Sequence, residues 1–163
     1  MPDPARLWVA GSGPESERLR HRYPPSARVQ WLGRLSDEEV AARMAGADVL
    51  CAPSLRGESF GVVLLEGMAA GAAVVASDLP GYRAAAGGHA RLVAPGDRTA
   101  LATALADALS EATGEGSPAR EARAAALGHA RGWSMARLAE RYVDVYRRAT
   151  ESRPSGKGAG GRR

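Results

Sequence analysis

"DVLCAPSLRGESFGVVLLEGMAAGAAVVAS", residues 48–77, reads as strand, loop, helix and strand. "DVLCAPS" (48–54) and "AVVAS" (73–77) are short apolar runs bounded by Pro and Gly, and the apolar stretch between them has helix length, at about 60–70. Two such strands joined by a helix make a βαβ unit, whose sheet is parallel. Working outward, "RLWVA" (6–10), "RVQWLG" (28–33) and "ARLVAP" (90–95) supply three more strands. Helical patterns fall at about 15–23, 37–46, 81–86, 98–111, 118–130 and 134–149. The expected fold class is therefore α/β, a Rossmann-like parallel sheet with flanking helices. Ser36 followed three positions later by Glu39 has the spacing of a capping box, and Asp97 stands as N-cap of an Ala-rich helix.

From Ser59 to Ser77 the only charged residue is Glu66, and its neighbours three and four positions away are Val62, Val63, Ala69 and Ala70. A carboxylate among such faces must reach solvent, shift its pKa or find a partner, because burying it alone is expensive. Two readings stand: a solvated helix edge or distant ion pair, and a ligand contact. Glu58 precedes the same helix, whose amino end offers the amides of about Phe60 to Val63, with Gly61 allowing close approach of an anion. The two carboxylates are separated by one loop and a turn and a half of helix, roughly 10 Å. An extended ligand with hydroxyls at both ends and an anion between them, the layout of a nucleotide sugar, suits that spacing.

"ESFGVVLLE" followed by "GMAAGAAVVASDLPGYR" resembles the retaining, nucleotide-sugar-dependent glycosyltransferases of GT-B architecture (group 1, family 4). Within that family "ADVLCAPSLRGESFGVVLLEGMAAG" is most similar to the actinobacterial phosphatidylinositol mannosyltransferases, which use GDP-mannose. The resemblance covers about residues 6–149, all within the carboxyl-terminal, donor-binding domain. It implies that Glu58 binds hydroxyls of the donor hexose and serves as the catalytic carboxylate. Ser59 and the backbone at Phe60, Gly61 and Val62 would meet hexose and phosphate, and Glu66 the ribose hydroxyls. Leu35, by its backbone, and Asp37 would lie near the nucleobase, with Pro53 and Ser54 shaping the pocket wall. The family's transfer needs no metal and no cofactor beyond the donor. It is described as a front-face displacement in which the leaving phosphate helps deprotonate the acceptor.

The family's donor domain opens with a further, central strand and a loop whose Arg and Lys grip the diphosphate, and "MPDPARLWVAG" resembles the part that follows both. The expected sheet order is therefore 28–33, 6–10, a gap or makeshift pairing, 48–54, 73–77 and 90–95, with a weak core beneath the gap. The expected division is an incomplete nucleotide-sugar-binding domain at 1–149 and a disordered basic tail at 150–163. The expected partners are a nucleotide-sugar donor, the amino-terminal acceptor domain and, through the full enzyme, the inner membrane. The expected location is cytoplasmic, membrane-associated as the full enzyme. On this reading the chain is a fragment, an incomplete frame or one partner of a split enzyme. It should transfer poorly by itself, because the departing diphosphate would lack its cationic clamp.

Composition narrows the alternatives. The 163 residues are 45% apolar and 25% charged, as in a globular domain. Of the formal charge of +4, residues 147–163 supply +5 through six basic groups and one acid, leaving −1 for residues 1–146. The charge thus sits in the tail, and nucleic acid is not expected as a partner. "GSGP" (11–14) lacks the third glycine of a dinucleotide fingerprint and reads as a tight turn. The single Cys51 excludes an internal disulfide and reads as a buried, inert thiol. His21, His89 and His129 are scattered over expected surface positions, and none is assigned to catalysis. The last helix carries Trp133, Leu138, Tyr142, Val145 and Tyr146 as an apolar stripe, expected to be partly exposed.

Overall fold

The structure, a computed structural model, describes residues 5–113 and 117–151. The chain divides into two units, one ending at Arg131 and one beginning at Gly132. In the first unit strands and helices alternate: β1 (Leu7–Ala10), α1 (Ser16–Arg22), β2 (Val29–Gly33), α2 (Asp37–Ala45), β3 (Val49–Ala52), α3 (Val62–Ala69), β4 (Ala73–Ser77), α4 (Pro80–Ala86) and β5 (Arg91–Val93). Helices α5 (Arg98–Thr113) and α6 (Ser117–Arg131) complete it.

Every strand pairing is parallel, as the βαβ pattern requires, but the described strands form two sheets, β1–β2 and β3–β4–β5. β1 pairs with β2 and β3 with β4, and among the described residues no ladder joins β1 to β3. The interruption falls between the two strands where the family resemblance implied a gap or makeshift pairing. Burial follows the same division. Among the described residues all the buried apolar side chains lie at Ala52 or beyond, while α1 and α2 bury none completely and β1 and β2 are at most half-buried.

The core is built on β4. Its alternation sends Val74 and Ala76 to one face, where they cluster with Ala52, Leu64, Met68, Tyr82, Ala86, Ala126 and Ala130. Val75, also fully buried, points to the other face, and α5 packs across β3, β4 and β5. Helix α3 lies directly on β3: a Cβ added at Gly67 would come 2.5 Å from Leu50 Cδ2. That close approach explains the glycine inside this helix.

Local chemistry sets the boundaries. β3 stops at Ala52, short of the predicted end at 54, because Pro53 has no N–H to donate. Helix α3 starts at Val62, not 60, because Gly61 adopts φ 85°, a left-handed geometry that cannot continue a right-handed helix. The capping box forms as spaced: Ser36 Oγ accepts from the Glu39 amide at 3.3 Å, and Ser36 N donates to Glu39 Oε2 at 2.8 Å. Asp97 Oδ1 accepts from the Ala100 amide at 2.9 Å, capping α5. His129 is not a surface residue but half-buried, bonding the Ala85 carbonyl oxygen at 2.7 Å.

The second unit holds α7 (Met135–Glu151). The Arg141 guanidinium lies 5.1 Å from the Trp133 ring centroid, and Arg137–Glu140 and Arg147–Asp144 pair one turn apart. Of the predicted stripe, Tyr142, Val145 and Tyr146 are exposed, while Trp133 and Leu138 are half-buried. Apart from Thr150 and Glu151, the expected basic tail lies outside the described residues. No described helix is long and apolar enough to cross a membrane.

Candidate functional site

The parallel register pairs Ala52 with Ala76, so the loop leaving β3 lies beside the turn that leads from β4 into α4. This is the carboxyl edge of the sheet, where open α/β folds bind ligands. Glu58 sits in that loop, half-buried, and Ser54 Oγ donates to its Oε1 at 3.2 Å. Ser54 Oγ is also 3.0 Å from the hydroxyl of Tyr82 on α4. A serine has one proton to give, and here Glu58 receives it, so the Tyr82 hydroxyl donates to Ser54. Burial raises the Tyr82 phenol above its ordinary value, and the Glu58 carboxylate, as a nearby charge and acceptor, adds to the rise.

Two glycines fix the loop against α4. A Cβ on Gly61 would lie 2.6 Å from Tyr82 Cδ1, and one on Gly81 would lie 2.7 Å from the Glu58 carbonyl oxygen and 2.8 Å from Ser59 backbone atoms. Neither position admits a side chain without movement of backbone or of a buried ring. Gly61 is the N-cap of α3 and offers no side-chain cap, so the first-turn amides of Val62 and Val63 have no helical acceptor. Phe60 precedes the helix, so the expected amide set of Phe60 to Val63 narrows to Val62 and Val63. Ser59, Phe60 and Val62 are exposed, Val62 to 53%.

Glu66 lies in the second turn of α3, exposed, and its carboxylate has no hydrogen bond or ion pair among the described residues. Its apolar neighbours therefore do not enclose it, and its acceptors are open. Leu35 is half-buried on the β2–α2 connection, and Asp37 is the exposed first residue of α2. Helix α2 packs against α3, but neither Leu35 nor Asp37 bonds to Glu58 or Glu66 among the described residues. Side-chain hydrogen bonds do join Ser54, Glu58 and Tyr82. Tyr82 was not legible as a site residue. Its one signal is a phenol on a helix at a strand's carboxyl end, since a buried tyrosine hydroxyl needs a partner.

Arg83, next to Tyr82, is taken by a two-point ion pair with Asp78, which holds the Asp78 carboxyl below its usual range. Cys51 is half-buried, and burial pushes its thiol up. Among the described residues no cluster of three or more His, Cys, Asp or Glu could hold a metal ion.

The family model "Glycosyl transferases group 1" matches residues 2–111. A phosphatidyl-myo-inositol mannosyltransferase of Mycobacterium leprae is 43% identical over 102 residues, 61% of this chain and 27% of that protein. One of Mycolicibacterium smegmatis is 43% identical over 97 residues, 60% and 23% respectively. The chain thus spans about a quarter of the length of these curated relatives. Among solved structures, sucrose-phosphate synthase from Thermosynechococcus elongatus aligns with a TM-score of 0.74 at 25% identity, over 91% of this chain and 39% of that one. Anabaena HepE in complex with UDP-glucose aligns with a TM-score of 0.56 at 26% identity, over 76% and 36%. The motif, the parallel α/β architecture and a family match across most of the sequence agree, and the chain belongs to the glycosyl transferases group 1 family.

Proposed function

We propose that this chain is the donor-binding part of a retaining hexosyltransferase that takes mannose from GDP-mannose. The observation that carries the reading is the placement of two carboxylates about α3: Glu58, held before its uncapped amino end, and Glu66, open in its second turn. Glu58 would accept hydrogen bonds from hexose hydroxyls. The amides at Val62 and Val63, reached past the side-chain-free Gly61, would meet phosphate, with Ser59 and Phe60 bordering the sugar. Glu66 would hold the ribose, and Leu35 and Asp37 would border the base.

The names of the mycobacterial relatives support mannose as the sugar and a lipid such as phosphatidylinositol as the acceptor. An acceptor-binding domain, supplied by a longer protein or a partner, would complete the site and bring it to the cytoplasmic side of the inner membrane. A second reading, a nucleotide-binding module without catalysis, is favoured by the engagement of Arg83 with Asp78, which keeps that cation from a diphosphate.

Separate calorimetric titrations with GDP-mannose, UDP-glucose and NADH test the proposal, followed by incubation with phosphatidylinositol vesicles. Binding of GDP-mannose above the others, with mannosylated lipid formed once an acceptor domain is added, is the expected result. Binding without transfer in that mixture favours the module, and preference for NADH overturns both.

A further inference from the structure

We infer that Tyr82 is a positioning residue for Glu58, acting through Ser54: its hydroxyl orients Ser54 Oγ, whose proton then fixes Glu58 Oε1 and leaves Oε2 to a ligand hydroxyl. The inference rests on the donor-site reading of Glu58.

The chain of donors runs one way. Tyr82 Oη lies 3.0 Å from Ser54 Oγ, and Ser54 Oγ lies 3.2 Å from Glu58 Oε1. Tyr82 is 1% exposed and belongs to the core cluster with Leu64, Met68 and Val74, so the phenol oxygen is anchored by close packing in the core. Ser54 and Glu58 are only half-buried and stand on a loop. Without an anchor, the serine hydroxyl would rotate among staggered positions and the carboxylate would follow.

The backbone is held to the same anchor. The missing side chain of Gly61 leaves room for the Tyr82 ring, and that of Gly81 leaves room for the backbone of Glu58 and Ser59. Ring, loop backbone and carboxylate are thus all referred to α4, which packs against α3 and sets Tyr82 and Ala86 in the core. A tyrosine kept only for packing would be served equally well by phenylalanine. What the ring alone does not require is a hydroxyl aimed at a serine that already bonds a carboxylate.

This relay differs from a plain buried hydrogen bond in what its loss does. Tyr82→Phe retains the ring and removes one oxygen, leaving Ser54 with an unfilled acceptor and a free rotor. Glu58 should then sample several rotamers while the loop backbone stays in place. Losing one neutral hydrogen bond corresponds to roughly a three- to tenfold change in a ligand equilibrium. It should fall on the hexose alone.

The test uses the 163-residue chain with selectively labelled glutamate, in wild type, Tyr82→Phe and Ser54→Ala. Side-chain scalar couplings report the Glu58 rotamer, and calorimetry reports the affinities for GDP-mannose and free GDP. The expected result is one Glu58 rotamer in the wild type and averaged rotamers in both variants. GDP-mannose affinity should fall about three- to tenfold with GDP affinity unchanged. Ser54→Ala removes the middle link of the relay, and a single Glu58 rotamer in it overturns the inference should Tyr82→Phe fail to fold. A single Glu58 rotamer preserved in the folded variants overturns the inference, as does a GDP-mannose to GDP ratio that does not move. If the wild type binds neither ligand, the donor reading fails, while the rotamer measurement still decides whether Tyr82 positions Glu58.

Discussion

Gly61 and the Tyr82 ring occupy complementary space: a Cβ on residue 61 would lie 2.6 Å from Tyr82 Cδ1 and 3.1 Å from Cε1. Gly61→Ala therefore meets two penalties, a left-handed φ of 85° and a clash with a fully buried ring. Gly57 provides the comparison, with φ 88° and nothing within 4 Å of a built Cβ. Gly57→Ala should cost about 1–2 kcal/mol from backbone conformation alone. Gly61→Ala should cost a further 1–3 kcal/mol, roughly, from overpacking. Denaturant melts of the two variants check the difference. Equal losses would mean that the ring yields freely.

The two halves of the first unit should differ in stability. Met68→Ala removes a fully buried side chain from the face of α3 packed in the core, and a loss of about 2–5 kcal/mol is expected. Leu7, 52% exposed on β1, should lose far less on truncation. Amide exchange gives the same contrast without mutation: β4 amides should exchange through near-global opening, and those of β1 and β2 through cheaper local opening. Similar protection in the two sheets would show that the β1–β2 layer is held by more than the described packing.

The capping box predicts a pH effect. Hydrogen bonds from Ser36, its backbone amide first, hold the Glu39 carboxyl below its usual value near 4.5. A carboxyl whose folded-state value is the lower one stabilises fully above its unfolded value, and that contribution is lost as pH falls through the folded value. The amide exchange protection of α2 should therefore fall on acidification below about pH 4.5. In Glu39→Gln, which keeps a side-chain acceptor without the charge, this acid dependence should flatten. An unchanged acid limb in that variant would assign the effect to other carboxylates, Asp78 beside Arg83 foremost.

The elements were legible because each follows from a local rule: β-branched runs between glycines gave the strands, and Ser36 and Asp97 announced the helices they cap. The gap between β1 and β3 came from family resemblance, not from periodicity. The errors are equally local. Pro53 shortens β3, and Gly61 delays α3, since a glycine's φ cannot be read from its neighbours. The Tyr82–Ser54–Glu58 relay was illegible because its partners at 82 and 54 meet only through the register of β3 with β4. His129 was misplaced for the same reason, its acceptor Ala85 lying on α4. Glu66 could be singled out by its apolar neighbours, but its exposure depended on which face of α3 meets β3, and Gly67 beside it makes that contact.

Titration of free GDP into wild type, Glu66→Gln and Glu58→Gln tests the separation of roles most directly. Glu66→Gln should weaken GDP binding about 10- to 100-fold, the loss expected for a charged hydrogen-bond acceptor, with the melting temperature unchanged. Glu58→Gln should leave GDP affinity at the wild-type value, because its partners are on the sugar. Equal losses in both variants, or a Glu66→Gln chain that binds GDP as the wild type does, would contradict the division of the donor between the two carboxylates.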